Sequence, residues 1–144
     1  MNFRKSFLAV PLILTLSFPL QAQAAKFECS IHSVLKLSDA GAIVTHGWSA
    51  NYLNRKFTVD RETGKVVNTT ALKVRLSNYN RESVPHILDY GDVNNAYKAV
   101  TLFEDKGGYA VLEINDVDKS TDMPFLYQTN IGMILTGKCN VTGS

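Results

Sequence analysis

From Lys26 onward, apolar and polar residues alternate with a period of two, in short runs broken by Gly, Asp and Asn clusters. Lys26 to Leu37 opens the pattern with Phe27, Cys29 and Ile31 on one face, and it stops at Ser38-Asp39-Ala40-Gly41. Ala42 to Trp48 returns as the second arm of a hairpin, and Trp48 to Leu53 has room for one helical turn. Lys56 to Asp60, the turn Arg61-Glu62-Thr63-Gly64 and Lys65 to Val67 predict a second hairpin. Gly64 supplies the positive φ that a bulged turn demands. Tyr97 to Glu104 and Tyr109 to Asn115 flank Asp105-Lys106-Gly107-Gly108 as a third hairpin, with Ala110, Leu112 and Ile114 on one face of the return strand. Leu72 to Leu76, Phe125 to Gln128 and Ile131 to Thr136 add further strands. The pattern predicts an all-β domain, an antiparallel meander of about eight strands forming a small barrel or sandwich.

The chain before Lys26 reads differently. Arg4 and Lys5 precede an apolar run from Phe7 to Leu20, followed by Ala22-Gln23-Ala24. That is the layout of a secretory signal, and the run is short for a bilayer span and interrupted by Pro11 and Pro19. The expected division is therefore a signal peptide over 1–24 and one domain over 25–144. Cleavage after Ala24 removes Arg4 and Lys5, and the mature chain then balances its basic and acidic residues at 13 each. No excess charge draws it to nucleic acid or to anionic lipid, and no stable membrane anchor is expected.

Cys29 and Cys139 stand near the two ends of the mature chain. In an oxidising compartment such a pair is read as one disulfide, and closing so long a loop is worth about 4–5 kcal/mol by chain entropy. A redox pair normally has close spacing such as C-x-x-C, which these two lack.

Four stretches, Phe57-Thr58-Val59-Asp60-Arg61-Glu62-Thr63-Gly64, Asp89 to Lys98, Pro124-Phe125 and Gly137-Lys138-Cys139, resemble those of small uncharacterised bacterial periplasmic proteins. The resemblance spans most of the mature chain and implies a bacterial envelope location, periplasmic or secreted, with no activity attached. Periplasmic lysozyme inhibitors are similar in size, export and β-barrel form. Their Ser-Gly-x-x-Tyr inhibitory loop is missing from this sequence.

Few residues point to chemistry. No G-x-S-x-G elbow is present, and His32, His46 and His86 have no metal-ligand spacing. Asp116, Asp118 and Asp122 have the alternate spacing of a calcium loop, yet Thr121 stands where such a loop needs glycine and Tyr127 where it closes with glutamate. Neither metal nor cofactor is expected. Asn68-Thr69-Thr70 and Asn140-Val141-Thr142 match a glycosylation pattern that means little in bacterial export. Arg61 in Asp60-Arg61-Glu62 can grip an anionic ligand, yet an Asp–Arg pair stabilising its own turn is the commoner case and the one expected.

The most specific segment is Asp89 to Lys98, which gathers Asp89, Asp92, Asn94, Asn95, Tyr97 and Lys98 around Gly91, just before a strong strand. Polar loops on rigid sheets carry binding sites, and the same Asp and Asn side chains also serve as turn chemistry. Trp48, Tyr52, Tyr79 and Tyr90 are candidate members either of a recognition surface or, equally, of a small β core. The expectation is a binding or interaction module whose partner is an envelope or extracellular protein or a small ligand. The alternative is a small exported hydrolase using His86 with Asp89 or Asp92.

Overall fold

The computed structural model describes residues 25–67, 85–92, 94–103, 107–117, 121–129 and 131–143. The expected signal over 1–24, the strand over Leu72 to Leu76, Tyr79, Asp118 and the turn Asp105-Lys106 lie outside the described residues. Among the described residues, nine strands form one antiparallel sheet: β1 (Lys26–Leu37), β2 (Ile43–Thr45), β3 (Lys56–Asp60), β4 (Val66–Val67), β5 (Pro85–Tyr90), β6 (Tyr97–Phe103), β7 (Gly108–Ile114), β8 (Met123–Gln128) and β9 (Met133–Thr142). A 3-10 turn occupies Ser49–Asn51, inside the stretch expected to hold one.

The strand order is β4-β3-β1-β9-β8-β7-β6-β5, with β2 beside the far end of β1. Strands β5 to β9 are a meander, as expected. The order departs from a meander where β1 slots between β3 and β9, which pairs the two ends of the described chain. Cys29 lies directly opposite Cys139 in that pairing, their Cα atoms 3.9 Å apart, and the two form a disulfide. Both cysteines are fully buried. A disulfide between strands 110 positions apart fits an oxidising compartment. Among the described residues, no helix is long and apolar enough to cross a membrane.

The sheet curls into a half-barrel. Phe27 on β1 and Tyr97 on β6 are four strands apart, roughly 19 Å on a flat sheet, yet their ring centroids are 5.1 Å apart. Phe57 on β3 meets Phe125 on β8 edge-on at 5.2 Å. The concave face holds Phe27, Ile31, Phe57, Tyr97, Ile114 and Leu135, and this single cluster is the core. Two bulges assist the bend. In β1 the register shifts between Ile31 and Ser33, so the inward set passes from Phe27, Cys29 and Ile31 to Val34. Opposite that bulge, a side chain on Gly137 would collide with the Ser30 carbonyl, so only glycine permits the approach.

Several boundaries differ from the sequence reading. Strand β5 is not anticipated, because Pro85 opens it and only every other residue is even half-buried. Proline is tolerated at the first residue of a strand, where no ladder bond is lost. The return arm expected over Ala42 to Trp48 shortens to Ile43–Thr45, since His46 Nδ1 accepts the Trp48 N–H (3.0 Å) and turns the chain. Strand β9 begins two residues after Ile131, because Gly132 adopts φ +76° in a turn closed on Thr129. It then runs through Gly137 to Thr142.

Candidate binding loop

One end of the half-barrel collects the β3–β4 turn, the β5–β6 loop and the segment after β7. The β3–β4 turn is built by Asp60, whose Oδ1 accepts the Glu62 N–H (3.1 Å), the Thr63 N–H (2.9 Å) and the Thr63 hydroxyl (2.9 Å). Burial pulls the Asp60 pKa up. The Thr63 and Glu62 hydrogen bonds and the charge of Lys26 outweigh it and hold the carboxyl below the ordinary value. Gly64 closes the turn at φ +70°, where a side chain would press on Pro85 and Ala99 across the mouth of the sheet.

This turn aims Arg61 over the rim. Its guanidinium lies 5.3 Å from the centre of the Phe27 ring, donates to the Tyr90 carbonyl (3.1 Å) and pairs with Asp116 Oδ2 (3.2 Å). Asp116 is buried and its other oxygen accepts the Tyr97 N–H (3.1 Å). Burial raises its pKa, against the lowering influence of the Tyr97 N–H and of Arg61. Gly91, at φ +72°, packs on the same carboxylate so closely that any side chain would overlap it.

The β5–β6 loop is therefore held at both ends. Its start is fixed by Arg61 on the Tyr90 carbonyl and by Asp89 Oδ1, which accepts the Gly91 N–H (2.9 Å). Its end is fixed by Asp116 on the Tyr97 N–H. Between them Asp92 Oδ1 accepts the amides of Asn94 (2.7 Å) and Asn95 (2.9 Å), and the Asp92 N–H returns to the Asn95 carbonyl (3.0 Å). The side chains of Asp92, Asn94 and Asn95 face solvent, and Tyr90 beside them is exposed. A loop so tied meets a partner with little further loss of entropy.

The expected site residues thus separate. Asp92, Asn94 and Asn95 come together at the tip. Asp89 is the next-to-last residue of β5 and accepts the loop's first amide, that of Gly91. Lys98 faces outward from β6 opposite Glu113. Tyr97 is corrected: it is wholly buried against Phe27, its hydroxyl pKa pushed up to about 12, first by burial and then by Asp60, Tyr90 and Asp116. It supports the loop from beneath and offers no group to a partner. Tyr52 is likewise in the core. Arg61 does not pair with Asp60, as expected from the sequence, but with Asp116.

Asp116 and Asp122, read together in the sequence, are engaged apart. Asp116 turns inward to Arg61, while Asp122 is exposed near Lys138 Nζ (3.6 Å) with its own N–H on Asn140 Oδ1 (2.9 Å). Among the described residues, no group of three or more metal-ligating side chains converges. His86 is the second residue of strand β5 and is exposed. An extended strand advances about 3.3 Å per residue, which puts His86 roughly 10 Å from Asp89 along the chain and further from Asp92. No hydrogen bond joins them among the described residues. The Arg61–Asp116 pairing is the feature that sequence reasoning missed: no local spacing links residues 55 positions apart.

Compared with known proteins, the chain matches no family model, no curated protein and no solved structure.

Proposed function

We propose that this chain is an exported binding domain that engages a protein partner of the envelope or the extracellular space through the tip of its β5–β6 loop. Residues 1–24 direct export, the mature chain begins at Ala25, and the domain works in the periplasm or outside the cell. The buried disulfide supports this compartment. The observation that carries the binding role is the loop's double anchorage: Arg61 and Asp116 fix both its ends while Asp92, Asn94 and Asn95 present amide and carboxylate groups to solvent. Such groups make directional hydrogen bonds, and a pre-set loop makes them at low entropic cost.

The test is capture from periplasmic extract by the mature protein and by an Asn94→Ala/Asn95→Ala variant. Among the described residues, their side chains, unlike that of Asp92, make no hydrogen bond within the loop. The expected result is an unchanged melting temperature and loss of a protein that the wild type retains. Equal capture by both proteins would place the binding surface elsewhere.

A further inference from the structure

The outer face of β5 to β8 carries several exposed apolar side chains among polar ones, His86, Lys98, Glu113 and Gln128 included. Leu88 (66% exposed), Leu102 (48%), Tyr109 (49%) and Leu126 (41%) stand on it, around the half-buried pair Val100 and Val111. At its centre, three successive outward rows on β6 and β7 are Lys98 opposite Glu113, Val100 opposite Val111 and Leu102 opposite Tyr109.

We propose that this face docks against the same face of a second copy of the chain, about a two-fold axis lying between the sheets and parallel to β6 and β7. Rotation about that axis exchanges the two strands and keeps each row at its own height. Lys98 of one copy then faces Glu113 of the other, Val100 faces Val111, and Leu102 faces Tyr109. Every row that is paired within the sheet is therefore paired again across the interface, charge with opposite charge and apolar with apolar. A self-complementary patch is what a two-fold interface demands. Because the sheet is convex on this side, the contact centres on β6 and β7, and the flanking strands β5 and β8 curve away from the partner. Face-to-face sheets pack about 10 Å apart with strands within about 30° of one another, a geometry that these rows can satisfy.

The two crest strands, about six residues each, cover roughly 10 by 20 Å. That footprint is small beside the ~800 Å² per partner of tight complexes, so the dimer is concentration-dependent. The face is distinct from the loop tip, and its occupancy by a second copy does not depend on the loop's role.

The experiment is sedimentation velocity of the exported chain over about three decades of concentration, with melting temperatures recorded for each variant. Wild type should pass from monomer to dimer. Leu102→Asp should remain monomeric while folded. Lys98→Glu and Glu113→Lys should each weaken the dimer at least tenfold, and the double exchange Lys98→Glu/Glu113→Lys should restore it. A wild type that stays monomeric throughout would overturn the proposal, as would a dimer indifferent to Leu102→Asp or a double exchange that restores nothing. Leu102→Asp abolishing capture of a different protein by a monomeric wild type would assign the face to that protein instead.

Discussion

Arg61 and Asp116, 55 residues apart in sequence, meet at 3.2 Å on the rim of the half-barrel and together hold the β5–β6 loop in place. Asp116 does so chiefly as an acceptor: its carboxylate takes the buried Tyr97 N–H as well as Arg61. Asp116→Ala leaves that N–H and the guanidinium without their partner and is expected to cost about 2–4 kcal/mol. Asp116→Asn keeps an acceptor oxygen and removes a charge that burial disfavours, and should stay within about 1 kcal/mol of wild type. Urea unfolding of the three proteins checks the difference; equal loss in both variants would show that the charge, not the acceptor, holds the rim.

The two rim carboxylates give opposite slopes of stability against pH. Asp60 has a folded pKa below its unfolded value of about 3.9. Its contribution is complete above that pH and drains away as pH falls through the folded pKa. Asp116 has a folded pKa above its unfolded value, so its contribution is present below about pH 3.9 and is lost as pH rises through the folded pKa. Asp60→Asn should therefore flatten the acid limb of the stability profile, and Asp116→Asn the limb just above it. Thermal melts from about pH 2.5 to 7, spanning both carboxylate ranges, resolve the two effects.

The β1–β9 disulfide is expected to account for about 2–5 kcal/mol of stability, the range for small secreted domains. The mature protein should migrate faster on a non-reducing gel than on a reducing one. Cys29→Ala/Cys139→Ala should melt well below wild type. An intact mass corresponding to two free thiols after export would refute the bond in the cell.

Gly64 combines φ +70° with a neighbour, Pro85 Cβ, only 3.0 Å from where its own Cβ would be. Gly64→Val asks a β-branched residue to take a left-handed conformation and to push into β5. The expected cost is about 1–3 kcal/mol from the backbone alone, with the contact adding to it. A melting temperature equal to wild type would show that the turn relaxes freely.

Period-two alternation made most strands legible. Lys26 to Leu37 and Lys56 to Asp60 coincide with β1 and β3, and the inward Ala110, Leu112 and Ile114 are the buried set of β7. The signal failed where burial is one-sided or shallow. β5 is an outer strand that opens with proline and has its bulge at Leu88, so its pattern resembles a loop. Gly137 looked like a strand end because its real constraint, the Ser30 carbonyl of another strand, is not local. The site divided along the same line. Asp92 with Asn94 and Asn95 is a local turn and could be read directly, as could the positive φ of Gly91. Arg61 with Asp116, and Tyr97 as a core residue, follow only from how the sheet curls.

The most direct test of the pre-set loop is the backbone order parameter of the Asn94 and Asn95 amides, from nitrogen-15 relaxation on the mature protein. Both amides donate to Asp92 within a loop anchored at each end. They should therefore be as rigid as the sheet, near 0.85. Values below about 0.6 would mean a loop mobile on the nanosecond scale and would contradict the anchorage by Arg61 and Asp116.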